Sequence, residues 1–483
     1  MTTTLPHHGD TETAPLHRAL GLRDLVLFYI ASIVSLSSLA QVAQFGFASI
    51  TLFAAAIVTF LIPSGLVVAE LHARMPEEGG LYRWTRAAFG ETHGFLAAWS
   101  YWIANIVWLP TVVLLVSVSV LYVFGPDALP LGESALYNAT TCLAILWAVT
   151  GLNLVGMERA KWIQNVGGAA SWGVVLLLLV VAALYAGEFG SAHALTAGAF
   201  VPDLTDSATL GYFAVVAFCF GGLELAPILA GEIAAPRRTV PRAIVIASAC
   251  VGVIYVVGTL ALVVALPEGE IGVIDGVAQA FAAVDTALGI PGLDALGAAL
   301  VALSTLGLFG AWLTGTARIP FVIGLAHYFP DAFAKVHPVH GSPWVSLLVQ
   351  ATLLTVMLLM AVAGSTVEEA FLVLLDMSII LYFVPFLYLF AAFARLMLVA
   401  PPGDGLVRFF ERGRGAVLLV AGAGFATTLL ATIVSSVPTK DVEDPDVFVL
   451  KVVGGAAVLL GLGLVVFARG RRAALQRARH DAT

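Results

Sequence analysis

The residues best placed to do chemistry in this chain are few, and they fall inside apolar runs. Between Phe218 and Pro241 the sequence reads FCFGGLELAPILAGEIAAPRRTVP. The stretch opens within an apolar run long enough to cross a bilayer, and in mid-run come Gly221, Gly222, Glu224 and Pro227. Adjacent glycines weaken a helix, and a proline removes a backbone donor. A carboxylate at that depth costs about 2.5–3.5 kcal/mol on insertion scales. Broken backbone is tolerated in a membrane only where it lines a cavity inside protein, because only there do the freed N–H and C=O groups find partners. The stretch is therefore predicted to be an interrupted membrane helix with a binding site at the break. A second candidate lies near the start, where IASIVSLSSLAQ puts Ser32, Ser35, Ser37, Ser38 and Gln41 in mid-run. Such serines either re-satisfy a kinked helix or form a small-residue packing face. A third is Asp376, in FLVLLDMSIILYF. An intramembrane acid carries a functional reading unless it lies at a solvated helix end.

The elements that must position these residues follow from composition. Of 483 residues, 60% are hydrophobic and only 11% are charged, against about 25% charged in a soluble domain. Runs of about 20 apolar residues recur along the whole chain, so helices are indicated rather than a barrel. Twelve spans are read, at 22–46, 48–72, 92–124, 137–155, 162–187, 208–233, 242–266, 293–316, 343–363, 367–393, 415–437 and 447–468. With both termini cytoplasmic, 21 of the 23 basic residues fall on the inner side and only Lys440 and Lys451 on the outer. That bias matches the positive-inside rule and supports an even number of spans. Arg408 and Arg412 belong to the inner set, while Asp206, Glu268 and Glu270 help to make the outer loops acidic. Residues 1–20 hold His7, His8, Asp10 and Glu12 but no apolar core, so no cleavable signal peptide is expected. The linker HYFPDAFAKVHPVHGSP carries His337 and His340, read as solvated loop histidines ahead of the alternative of pH sensors. The tail 471–483 is basic, suited to setting topology and meeting anionic lipid. Three cysteines in apolar runs, Cys142, Cys219 and Cys250, make a disulfide framework or zinc site improbable.

The first span opens the chain and the sixth opens a second group of five. An inverted five-plus-five repeat would put its two broken helices there.

These residues resemble the amino acid–polyamine–organocation (APC) transporter superfamily over nearly the whole chain. Ala69, Glu70 and Leu71 followed by MPEEGGLYRWTRAAFG (75–90) look like its loop after the second helix. FCFGGLE (218–224) is similar to its sixth-helix break, and Glu232, Pro236, Arg237 and Pro241 fit the pattern that follows. EEGG and the first span are closest to the glutamate/γ-aminobutyrate antiporters. The resemblance implies an all-α LeuT-like fold of two inverted five-helix repeats plus two further helices, working by alternating access. The layout is then a tail (1–20), repeats at 21–190 and 191–395, helices eleven and twelve (396–470) and the basic tail.

An α-amino acid needs complements for one carboxylate and one ammonium. A half-helix starting near Ser37 offers N–H groups and a positive dipole end; half-helices ending near Val34 and Cys219 offer carbonyls. Ile33, Val34, Ser35, Ser37 and Ser38 are assigned to the first break, and Phe218, Cys219, Phe220, Gly221 and Gly222 to the second, with Phe218 at the family's gate position. Glu224 is read as a proton carrier, a structural acceptor or a ligand for a cationic substrate. Asn105, Trp108, Trp312, Ser304 and Thr305 are candidates for a side-chain pocket, with helix packing as the alternative for each. Some relatives place a lysine where Ser171 stands here, and Thr314 and Thr316 lie too near a helix end for a sodium site. Exchange or proton-linked transport is therefore favoured. No basic residue is placed to hold a side-chain carboxylate, which points away from strongly acidic substrates. The expected partners are an amino acid or amine, a proton or counter-substrate, and membrane lipid. No cofactor, metal cluster, nucleic-acid partner or catalytic triad is indicated. An organic amine carrier using Glu224 and Asp376 is the alternative; a channel or sensor ranks below both.

Overall fold

The computed structural model describes residues 18–191, 196–203, 205, 207–265, 276–326, 328–364, 367–399, 410, 413–437 and 445–480. Arg408, Arg412, Lys440, Asp206, Glu268 and Glu270 lie outside them, as do the residues named at the start of the chain. Among the described residues the regular structure is helical, apart from one isolated backbone bridge between Leu20 and Ile233. Among the described residues, ten helices are long and apolar enough to cross a membrane, or eleven if the bent pair Leu22–Ile33 and Leu36–Ala43 counts as one span.

We number helices in chain order. That bent pair is α1 (Leu22–Ile33) and α2 (Leu36–Ala43), followed by α3 (Ala48–Arg74) with a π turn at Ile57–Leu61. The loop at 75–90, read as loop throughout, contains a short helix α4 (Gly80–Phe89). Gly79, at φ +100°, turns the chain into it, and Leu81, Tyr82, Trp84 and Ala88 bury one face. Next come α5 (Glu91–Val123), α6 (Ala135–Leu154) and α7 (Met157–Phe189). The last begins five residues before its expected start, because Gly156, at φ +110°, lets the chain turn directly into it. The expected sixth span is α8 (Ser207–Cys219), a turn at 220–224, and only one helical turn, α9 (Leu225–Ile228). Then follow α10 (Pro236–Ala265), α11 (Gly276–Leu288), α12 (Leu293–Thr316) and α13 (Arg318–Leu325). The remaining helices are α14 (Trp344–Gly364), α15 (Val367–Val399), α16 (Arg414–Val434) and α17 (Gly455–His480). Helix α17 runs on through most of the expected tail, since its Ala, Leu, Gln and Arg are strong helix formers.

The helices nearest the centre are α1, α5, α12 and α15, and small residues set their spacing. A Cβ at Gly167 of α7 would stand 2.4 Å from Gly307 Cα of α12, and one at Gly168 would stand 2.5 Å from the Leu27 carbonyl of α1. Main chains in such contact bring α1 and α12 together against α7, the usual way for helices to associate in lipid.

Candidate functional site

Helix α1 stops at Ile33 because Val34 and Ser35 are extended, with ψ of 107° and 110°. The chain bends by 45° there and restarts at Leu36. Ser35 caps the new helix, its Oγ accepting the Ser38 N–H at 3.4 Å and meeting the Ser38 hydroxyl at 2.9 Å. Ser37 lies 3.2 Å from the same Oγ. Ser35 thus acts as the cap, as the preference of serine for helix starts dictates, with Ser37 and Ser38 gathered around its hydroxyl.

In the second break Gly222 has φ +129°, where a side chain is strained, and a Cβ there would fall 2.8 Å from Ile33 Cγ1. The two breaks therefore touch at Gly222 and Ile33. Tyr255 of α10 ties them together: its hydroxyl accepts the Ser35 N–H at 2.9 Å and donates to the Ile33 carbonyl at 2.8 Å, with the Cys219 carbonyl 3.5 Å away. Tyr29 donates to the Leu223 carbonyl at 3.0 Å, and Trp312 Nε1 to the Ser32 carbonyl at 2.6 Å.

Beside the breaks lies a small cavity of about 20 Å³, room for roughly one water. Its lining includes Ile33, Ser35, Ser38, Asn105, Trp108, Phe218, Cys219, Gly221 and Trp312, all expected, and also Ser32, Ala104, Leu308, Ser378 and Tyr382. Four rings surround it. Trp108 lies 5.7 Å from Phe218 and 5.5 Å from Trp312; Tyr382 lies 5.1 Å from Phe218 and 5.8 Å from Trp312. Asn105 donates to the Tyr101 carbonyl at 2.7 Å. The lining contains no carboxylate and no basic side chain.

Several expected residues stand off the cavity. Phe220 is fully buried against Phe53 and Tyr255, at 5.9 and 5.3 Å. Val34 and Ser37 shape the first break without lining the space. Gly222 is used for the approach to Ile33. Asp376 is two residues from Ser378, a rotation of about 200° on a helix, and it is Ser378 and Tyr382 that reach the cavity. Ser304 pairs with Ser171 at 2.7 Å, and Thr305 bonds the Val301 carbonyl, so both do packing work. His337 and His340 stack at 4.7 Å, and His337 Nδ1 accepts the Val339 and His340 N–H groups within their turn.

Glu224 is fully buried behind the cavity wall. Its Oε1 accepts the hydroxyls of Tyr101 and Tyr382, each at 2.6 Å, and its Oε2 accepts the Gly222 N–H at 3.0 Å. The carboxylate thus joins α5, α15 and the second break. Of the three readings of Glu224, this geometry is that of the acceptor. Tyr101, Tyr255 and Tyr382 were missed in the sequence. A tyrosine in mid-span was the available signal, since a buried phenol needs a hydrogen-bond partner.

Two interrupted helices facing each other in an all-helical, multi-pass membrane bundle define the class as a LeuT-like transporter fold. The structure of MhsT in complex with L-phenylalanine shares that fold, with a TM-score of 0.57 over 92% of this chain and 98% of that one, at 12% identity. The family is shown independently: the model described as "Amino acid permease" matches residues 20–458. The chain belongs to that amino acid permease family of the APC superfamily. It is 28% identical to an uncharacterized transporter of Legionella pneumophila over 93% of its length and 95% of the relative's. It is 25% identical to a probable agmatine/putrescine antiporter of Lactococcus lactis, over 78% of this chain and 79% of that one. To the glutamate/gamma-aminobutyrate antiporter of the same organism it is 22% identical, over 79% and 76%.

Proposed function

We propose that this chain is a secondary active transporter that carries an amino acid across the cytoplasmic membrane by alternating access. The carrying observation is the meeting of two helix breaks at one cavity, with Tyr255 bridging them. The substrate α-carboxylate is taken by the N–H end of α2 beside Ser35 and Ser38, and its α-ammonium by carbonyls at the ends of α1 and α8. Asn105, Trp108, Phe218 and Trp312 face the side chain. The cavity has room for about one water, so the aromatic ring must open outward to admit substrate. In this reading both termini are cytoplasmic, and residues 21–190 and 191–395 are the inverted repeats, followed by two further helices. Transport is by exchange or proton linkage, in keeping with antiporters among the relatives.

A second reading, an organic amine as substrate, is favoured by the relative named as an agmatine/putrescine antiporter. Against it, Glu224 has both oxygens engaged and Asp376 stands off the cavity. Proteoliposomes loaded with unlabelled amino acids should take up a labelled one, with saturation and counterflow. Absence of uptake across all twenty would overturn the first reading, and competition by putrescine but by no zwitterion would select the second.

A further inference from the structure

The route from the cavity toward the face bearing α4 is closed in two layers. The first is Glu224 with Tyr101 and Tyr382. Beyond it is a smaller void, about 10 Å³, lined by Tyr101, Gly79, Ile228 and Val322 among others. The void therefore sits between the central site and the segments that carry Glu78, Glu232 and Arg318.

These three residues gather at the far end of that route. Arg318 and Glu232 are 1% and 2% exposed and pair at 2.9 Å. The remaining guanidinium contact is to the Thr314 carbonyl at 2.5 Å, leaving Arg318 Nε without a partner. Glu232 Oε2 and Glu78 Oε1 are also buried and unpartnered. Arg318 pairs with Glu232, while the Glu78 carboxyl accepts the Gly231 N–H next to Glu232 and lies in the field of both; each carboxylate keeps an empty oxygen. The backbone ties in the start of α1 as well: Leu20 N–H donates to the Glu232 carbonyl at 3.0 Å, and Ala234 N–H to the Leu20 carbonyl at 2.9 Å. Separating these segments is what opening this face requires.

Resting on the alternating-access reading, the geometry points to a proton-operated latch: a proton held on Glu78 lets the cluster close this face, and its loss drives the face open. With the proton on, Glu78 is neutral and the Arg318–Glu232 pair is balanced. The added hydrogen also sits on a buried carboxyl group that has an oxygen lacking any donor. With the proton off, the buried groups are two carboxylates and one guanidinium, Arg83 being exposed, and hydration on opening relieves the excess negative charge. The charged and titratable groups facing Glu78 are Glu232 and Arg318 from the opposing segments and Arg83 from α4, which begins two residues after it. Burial lifts its carboxyl from the ordinary 4.5 to about 7, with Glu232 adding to the rise while Arg318, the Gly231 N–H and Arg83 oppose it. The change of state therefore falls near neutral pH.

The test reads opening without needing the substrate. A cysteine replacing Val322, which lines the void, is labelled with a membrane-impermeant maleimide from pH 6 to 8, and its rate is divided by that of a cysteine at exposed Val339. The ratio should climb with pH by up to about tenfold per unit, the limit for one linked proton. Combined with Glu78→Gln, which keeps the shape of the protonated acid, it should stay at the low-pH value throughout. A flat profile in the chain with native Glu78, or an unchanged climb in E78Q, would overturn the latch. The first arm does not depend on the variant folding. Uptake assays test the transport reading separately, so failure of one is distinguishable from failure of the other.

Discussion

Tyr255→Phe removes one oxygen and leaves the ring in place. The ring is held independently of the hydroxyl, stacked on Phe53 at 5.0 Å and edge-on to Phe220 at 5.3 Å. The loss is therefore confined to hydrogen bonds. The Ser35 N–H and the Ile33 carbonyl, paired to the hydroxyl at 2.9 and 2.8 Å, would both lose that partner in a buried site. An orphaned buried polar group costs about 1–3 kcal/mol, so two cost roughly 2–6 kcal/mol. That is a large part of the 5–15 kcal/mol that holds a typical protein folded. The measurement is thermal unfolding of purified protein in detergent, followed by tryptophan fluorescence, alongside amino acid uptake in proteoliposomes. Y255F should melt several degrees lower and lose most of its uptake while still eluting as a single species. A variant that melts and transports like the parent would show that the breaks stay open without a shared anchor, and the account of the site would fall.

Gly221→Ala puts a Cβ 2.2 Å from the Tyr382 hydroxyl, so it should displace Tyr382 and abolish uptake in a chain that still folds; full activity would contradict the packing. Tyr382→Phe removes one of two 2.6 Å bonds to Glu224 and should lower stability by about 1–3 kcal/mol, read as a shift in the melting midpoint. Arg318→Met leaves Glu232 buried and unpaired and should cost about 3–5 kcal/mol, whereas pairing it with Glu232→Leu should recover much of the loss; equal damage in both would argue against the ion pair as the cause. Stability should also depend on pH through Glu78. Its folded-state value lies above its unfolded one, so the folded chain binds the extra proton and the stabilisation is complete below about pH 4.5. It is lost as pH rises through about 7, a span worth roughly 3 kcal/mol. The melting midpoint should fall across that window in the native chain, and a Glu78→Gln variant without this component of the fall is the expected contrast.

Much of the fold is legible in order along the chain, because in lipid the constraint is local. Each span must satisfy its own backbone, so length and apolarity alone mark α3, α5, α12 and α14 to within a few residues. The same rule exposes the two breaks. Ser35, Gly221 and Gly222 are residues that a continuous helix would not choose, and the chain does turn at each of them. What only the tertiary structure decided is which distant groups meet there. Glu224 finds its partners 123 and 158 residues away, and Ser35 finds Tyr255 across 220 residues. Asp376 and Ser378 look equally placed in the sequence, and a 200° difference in helical phase sends only Ser378 to the cavity. Backbone satisfaction is settled within one segment and leaves a mark in its residues. The partner of a buried hydroxyl or carboxylate is settled by how helices cross, and no single span records that.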